Sequence, residues 1–180
     1  MVILGLDPGF ASLGWGLLDV SGPQPRCLGA GVIRTKPNKS AKRCDDNVER
    51  CAVLHDALVR IHQGNRFAFI AAEAQSWTRH ANSDRATAMA WGVIAATAER
   101  FNCPVIQLRP QDVKKRLAGA SSASKVALQK VVEAELIGAS KHLSALAKSH
   151  QNHASDALAV ALASLAHDLV RTVRRMRGAL

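Results

Sequence analysis

The sequence predicts an α/β fold in which a five-stranded mixed sheet, an antiparallel meander plus parallel strands, is flanked by helices. Three short apolar runs near the amino terminus are separated by turns, as a meander requires. Two later apolar runs each follow a segment with helical periodicity, the pattern of parallel strands joined by helical crossovers. The chain's 180 residues suit one domain, and its 48% hydrophobic and 4% aromatic content predicts an aliphatic core.

Residues 2–6 form a β-type run that ends in Asp-Pro-Gly, a strong turn signal. Residues 14–20 and 27–34 continue the meander, and residues 35–46 read as a polar, basic loop. Val48, Cys51, Leu54, Ala57, Leu58 and Ile61 then recur at the three- and four-residue spacing of an amphipathic helix. Residues 67–72 are continuously apolar, as in a strand buried on both faces. A polar loop over 77–84 leads to a helix over 85–101 and a fifth strand over 104–108. Pro110 suits the first turn of a short helix reaching residue 117, and the small residues 119–124 break the pattern. Residues 125–136 are helical again, and a last helix is expected from Asn152 or His153 to residue 177. The order is βββαβαβ followed by helices, with no repeat or linker. A single domain over 1–180 with a basic tail over about 167–180 is expected.

Formal net charge is +10, from 24 Lys and Arg against 14 Asp and Glu, which draws polyanions. Cys27, Cys44, Cys51 and Cys103 make no CxxC pair, and the histidines lack zinc-ligand spacing. Reduced, mostly buried thiols are expected. The first residues lack a basic, signal-like segment and no run has the length of a membrane span. These features predict a soluble, cytoplasmic protein.

Three acids stand at the ends of apolar segments: Asp7 after the first strand, Glu73 after residues 67–72, and Asp156 at the opening of the last helical run. Singly each has a plain structural account: a turn residue, a solvated strand end, a helix N-terminus. Jointly they point to a metal site, because converging carboxylates repel one another unless a hard cation such as Mg²⁺ or Mn²⁺ lies between them. His153 and Asp156 are three apart and share a helix face. The chemistry suited to such a set is phosphodiester hydrolysis by two ions about 4 Å apart, with His153 as a neutral ligand or as a group that orients or deprotonates water.

Four segments, ILGLDPGFASLGWGLLD, FIAAEAQSW, RPQDVKKRLAGASSASK and HASDALAVALA, together resemble the RuvC-type Holliday junction resolvases over about residues 2–166. The first segment alone is shared with sugar-kinase-like ATPases, which need two such lobes, whereas this chain has length for one. The resemblance implies an RNase H-like fold and a homodimer. It also implies paired symmetric nicking of four-way junction DNA with Mg²⁺ or Mn²⁺, in a bacterial or bacteriophage-infected cell. By motif it makes Asp7, Glu73 and Asp156 the catalytic carboxylates, with His153 where members carry an acid or a histidine. Lys114 and Lys125 match phosphate-contacting lysines, with Lys115 beside the first. The loop after Glu73 would present Trp77 to the junction centre and Arg79, His80, Asn82 and Arg85 to DNA. Trp15 and Trp91 fall in apolar patterns and are expected in the core. Family members dimerise through the counterpart of the helix over 85–101, here rich in small residues. Rival readings are an RNase H-like nuclease acting on an RNA–DNA hybrid and a non-catalytic DNA-binding architectural protein.

Overall fold

The computed structural model describes residues 1–75 and 81–176. Its centre is one sheet of β1 (Val2–Asp7), β2 (Ser12–Asp19), β3 (Arg26–Arg34), β4 (Phe69–Glu73) and β5 (Val105–Leu108). The order across the sheet is β3-β2-β1-β4-β5. β1, β2 and β3 form the antiparallel meander, while β4 lies parallel to both β1 and β5. The predicted mixed sheet is the observed one.

Helices α1 (Arg43–Asn65) and α2 (Ala81–Phe101) cover one face. The other carries α3 (Pro110–Ala118), α4 (Lys125–Glu135), α5 (Ala139–Ser144), α6 (Lys148–Ser164) and α7 (Asp168–Met176). Strand alternation divides the core accordingly. Leu4, Leu6, Ile70 and Ala72 pack towards α1 and α2, while Ile3, Phe69 and Ala71 pack towards α6. No described helix is long and apolar enough to cross a membrane.

α6 lies unusually close to the sheet. Its residues 154 to 164 are buried except Asp156, and five of them are alanines. The strands below it supply glycines. A Cβ on Gly5 would collide with the Ala157 carbonyl and stand 2.7 Å from the Ala161 Cβ. One on Gly14 would collide with the His153 carbonyl, and one on Gly16 would stand 2.6 Å from Leu158 Cδ2. Helix backbone therefore rests almost directly on strand backbone.

Several boundaries differ from expectation. α1 begins at Arg43, inside the expected loop, because Asp45 and Asp46 favour a helix amino end. Asp46 Oδ1 also accepts the Asn38 N–H at 2.7 Å, which closes the preceding turn. α2 begins at Ala81, so Asn82 and Arg85 are helical. The expected last helix is two helices. Residues 165–167 interrupt it, the Ser164 hydroxyl donates to the Ala161 carbonyl, and His167 Nδ1 accepts the Leu169 N–H at 3.3 Å. α6 also starts earlier, at Lys148, which puts Asp156 in mid-helix rather than at an amino terminus. α5 was not foreseen in the sequence.

The expected helix start at Pro110 holds. Gly119 ends α3 in the left-handed region at φ +75°, and Ser124 caps α4 by accepting the Ala127 N–H at 3.1 Å. All four cysteines are free, Cys27 and Cys103 buried, Cys51 half-buried and Cys44 exposed, so burial holds for only part of the set. Trp15 and Trp91 are half-buried against the α1/α2 core rather than within it.

Gly5→Ala should lower thermal stability by about 1–3 kcal/mol, since the inserted methyl meets backbone that cannot yield. Gly64→Ala, in α1 with open space around it, should instead be neutral or stabilising by up to about 1 kcal/mol. Thermal denaturation of the two variants checks the contrast.

Candidate active site

Period-two alternation places Asp7 and Glu73 together. Along β1, Ile3, Gly5 and Asp7 share the α6 face, and along β4 so do Phe69, Ala71 and Glu73. The two strands are parallel with Leu6 paired to Ala72, so both acids lie one step further, at adjoining strand ends. There the sheet changes from antiparallel to parallel, the kind of switch point where ligands gather. α6 brings His153 and Asp156 over the same edge.

The result is a pocket of about 270 Å³ lined by Asp7, Glu73, Lys114, Lys125, His153 and Asp156, with Pro110, Val113, Leu128 and Val160 as apolar wall. All six residues expected to carry the chemistry therefore converge. Lys114 reaches in from α3 and Lys125 from the capped start of α4. Lys115, the neighbour with which Lys114 was confusable by motif, is exposed and does not line the pocket. Trp77, Arg79 and His80 lie outside the described residues. Asn82 and Arg85 line a separate groove with Arg43, Arg50 and Phe10.

Two polar pairs organise the pocket. His153 Nδ1 stands 2.6 Å from Asp7 Oδ2, and Lys125 Nζ donates to Asp156 Oδ2 at 2.8 Å. The Asp7 bond holds His153 above the ordinary imidazole pKa, and the Asp156 bond does the same for Lys125. Glu73 has no such partner among the described residues. Burial first, then the charges of Asp7 and Asp156, push its carboxyl up to about 7, although Lys125 and Lys114 pull the other way.

Among the described residues, no group of three or more His, Cys, Asp and Glu already forms a metal cage. The donor set nevertheless suits a hard divalent cation: three carboxylates and one imidazole around a single pocket, with the Glu73 carboxyl pushed up by burial and by the charges of Asp7 and Asp156. Asp7 and Asp156 lean towards His153 and Lys125, and that satisfies them without drawing all three acids to one point.

Sequence reading overlooked two kinds of residue here. Gly14 pairs with Asp7 across β1 and β2, and only its missing side chain lets the His153 backbone come so close. A glycine within a strand-like run was the available signal. Asp84 and Gln75 were also missed. With Asp7, Pro8, Glu73, Ala74, Ser83 and Thr87 they line a second pocket of about 180 Å³ against the other side of the two acids. Gln75 Nε2 donates to the Asp84 carbonyl at 3.1 Å, joining the end of β4 to the first turn of α2.

Comparison with known proteins agrees with this geometry. The crossover junction endodeoxyribonuclease RuvC of Synechococcus sp. (strain CC9902) is 35% identical over 162 residues, 90% of this chain and 96% of that protein. Thermus thermophilus RuvC in complex with Holliday junction substrate superposes with a TM-score of 0.74 at 30% identity, covering 91% of this chain and 92% of that one. The yeast mitochondrial Holliday junction resolvase Ydc2, at 12% identity and a TM-score of 0.66, shares the fold, covering 98% of this chain and 84% of its own. The sheet and its helices are thus RNase H-like. Residues 3–164 match the model of the crossover junction endodeoxyribonuclease RuvC family, and the chain belongs to that family.

Proposed function

We propose that this protein is a structure-selective endonuclease that resolves four-way DNA junctions by paired symmetric nicks, with Asp7, Glu73, Asp156 and His153 holding Mg²⁺ or Mn²⁺, two ions per site. The observation that carries this reading is the convergence of those four side chains with Lys114 and Lys125 in one pocket at the switch point of the sheet. Bound ions would supply positive charge to an attacking water and to the departing 3′ oxygen of the phosphodiester. The three carboxylates supply oxygen donors. His153, once neutral, would offer one ring nitrogen to a bound ion while the other keeps its N–H. Lys114 and Lys125, on the α3 and α4 side, face the scissile phosphate and offset charge that builds on it in a partly desolvated pocket.

Asp7→Asn should lower junction cleavage by at least about 10²-fold, a loss of the size seen when a charge-stabilising active-site group is removed. Binding to the junction should persist. End-labelled four-way junction, linear duplex and RNA–DNA hybrid, each with Mg²⁺ or EDTA, check both statements. Faster cutting of the hybrid would overturn the substrate, and tight junction binding with no cutting would return the architectural reading.

Metal loading should depend on pH with a defined sign. Glu73, at about 7, and His153, above its ordinary value, both bind protons that a metal must displace, so Mn²⁺ affinity should rise with pH through neutrality. In metal-free protein Glu73 acts against stability. Its folded pKa lies above the unfolded 4.5, so the folded state loses stability as pH rises from 4.5 through about 7. His153, also raised, contributes stability at low pH that fades as pH rises through its folded pKa. Glu73→Gln should therefore raise the metal-free Tm at pH 8 and weaken Mn²⁺ binding. Calorimetry and a Mn²⁺ titration test the pair of effects.

Two opposed nicks need two sites, and we assign the homodimer contact to the α1/α2 face. Cys51, Ala52, His55, Met89, Gly92, Val93 and Ala96 line a shallow groove there, and Val48 nearby is 69% exposed. The exposed Ala88, Gly92, Ala95 and Ala96 allow close helix approach. Gly92→Arg, which has open space within this chain, should leave the fold intact and halve the mass in sedimentation. An unchanged dimer mass would place the contact elsewhere.

A further inference from the structure

On the face opposite α6, a groove of about 370 Å³ runs between the β1–β2 turn, the start of α1 and the first turns of α2. Phe10 and Ala11, Pro37, Arg43, Asp46, Asn47 and Arg50, and Asn82, Arg85, Ala86 and Met89 line it. Three guanidiniums face a single carboxylate, and that carboxylate is already engaged. Asp46 accepts the Asn38 N–H and pairs with Arg50 Nη1 at 3.6 Å.

Arg50 is held in place from three sides. Its Nε donates to Thr35 Oγ1 at 2.9 Å, its guanidinium carbon lies 4.1 Å from the centre of the Phe10 ring, and Asp46 flanks it. Its side chain is only 13% exposed, so its order is fixed before any ligand arrives. Arg43 and Arg85, by contrast, are exposed and have no carboxylate partner among the described residues. A rigid guanidinium, two exposed ones without a carboxylate partner among the described residues, and the amide side chains of Asn47 and Asn82 in the same lining supply the donor types of a phosphate site.

The groove also continues the candidate active site. The catalytic pocket and the smaller pocket beside it share Asp7 and Glu73. That smaller pocket takes Ser83, Asp84 and Thr87 from α2, while Asn82, Arg85, Ala86 and Met89 of the same turns face the groove. Pro8 belongs to the one and Phe10 to the other. The three concavities thus follow one another over the end of the sheet, from Lys114 and Lys125 through the acids to Arg43.

We propose that this groove binds a backbone phosphate of the DNA strand that leaves the active site on the side away from Lys114 and Lys125, with Arg43, Arg50 and Arg85 as its ligands. The proposal rests on the nuclease reading for its substrate and adds a second anchor for the same strand. Thr35 Oγ1, which receives Arg50, also donates to the Phe10 carbonyl at 2.5 Å, so the anchor is tied to the turn that follows Asp7. A phosphate held there sets the strand's position relative to the carboxylates.

The test compares Arg43→Ser/Arg85→Ser with Arg43→Lys/Arg85→Lys, both in an Asp7→Asn background without divalent metal. Binding to a four-way junction and to a linear duplex is titrated across a range of salt. Loss of one phosphate contact should lower the slope of log K against log salt by about 0.9 in the serine variant and leave it unchanged in the lysine variant. Junctions carrying a single neutral methylphosphonate should show one position near the cut where the arginine protein loses affinity and the serine variant does not. An unchanged slope, an equal loss in both variants, or a changed sedimentation mass in place of a changed slope would each overturn the site. Cleavage by the otherwise unaltered protein with Mg²⁺ is scored separately. If the junction stays uncut while the slope difference persists, the nuclease reading fails and the groove stands.

Discussion

The close seating of α6 on the glycines of β1 and β2 is the constraint on which the rest of the molecule depends. A helix normally packs on a sheet through interlocking side chains, but here the closest contacts fall where the strands carry glycine. Ala157 and Ala161 of α6 meet Gly5, the His153 carbonyl meets Gly14, Leu158 meets Gly16, and the helix axis sinks towards the strands. Little apolar area is gained per residue by such small groups. Position is gained instead, because backbone resting on backbone leaves few alternative placements. His153 can reach Asp7 only because the helix lies this low, and Asp156 arrives on the same face one turn later. The helix behind is then locked by the apolar residues of α3, α4 and α5.

Charge completes what packing begins. Three acids in one pocket would oppose folding if left alone, and the chain answers with His153 against Asp7 and Lys125 against Asp156. Glu73 remains the unsatisfied member. Burial is the main reason that Glu73 holds its proton, and the negative field of Asp7 and Asp156 that adds to it is what would favour a divalent cation. Two of the three acids thus have a cationic or imidazole partner within the protein, and the third is the one a bound cation would relieve. A fourth carboxylate in place of His153 would deepen that imbalance, whereas the imidazole moderates it.

Much of this was legible in the sequence because two periodicities did the placing. Alternation along β1 and β4 puts Asp7 and Glu73 on one face, and the interval of three puts His153 beside Asp156. The Asp-Pro-Gly turn, Pro110 and the small residues before Lys125 marked real ends of elements. The less legible parts were those set by tertiary contact. Polar residues before Asn152 gave no sign that α6 begins at Lys148, because burial in that helix starts only at Ala154. The break after Ser164 carries neither Gly nor Pro, since side-chain hydrogen bonds make it. The early start of α1 was hidden by lysines that dominate the loop's composition. The contribution of Gly14 needs the helix above it, and no strand pattern shows a helix.

The mid-helix position of Asp156 has a consequence for how the protein fails. Active sites are commonly built on loops, which open locally long before the domain unfolds. Two of the four proposed metal ligands here belong to the most buried helix of the chain and the other two to its central strands. No small opening motion separates them. Loss of the site and loss of the fold should consequently be one event, so that heat or denaturant leaves no population of folded but disassembled protein.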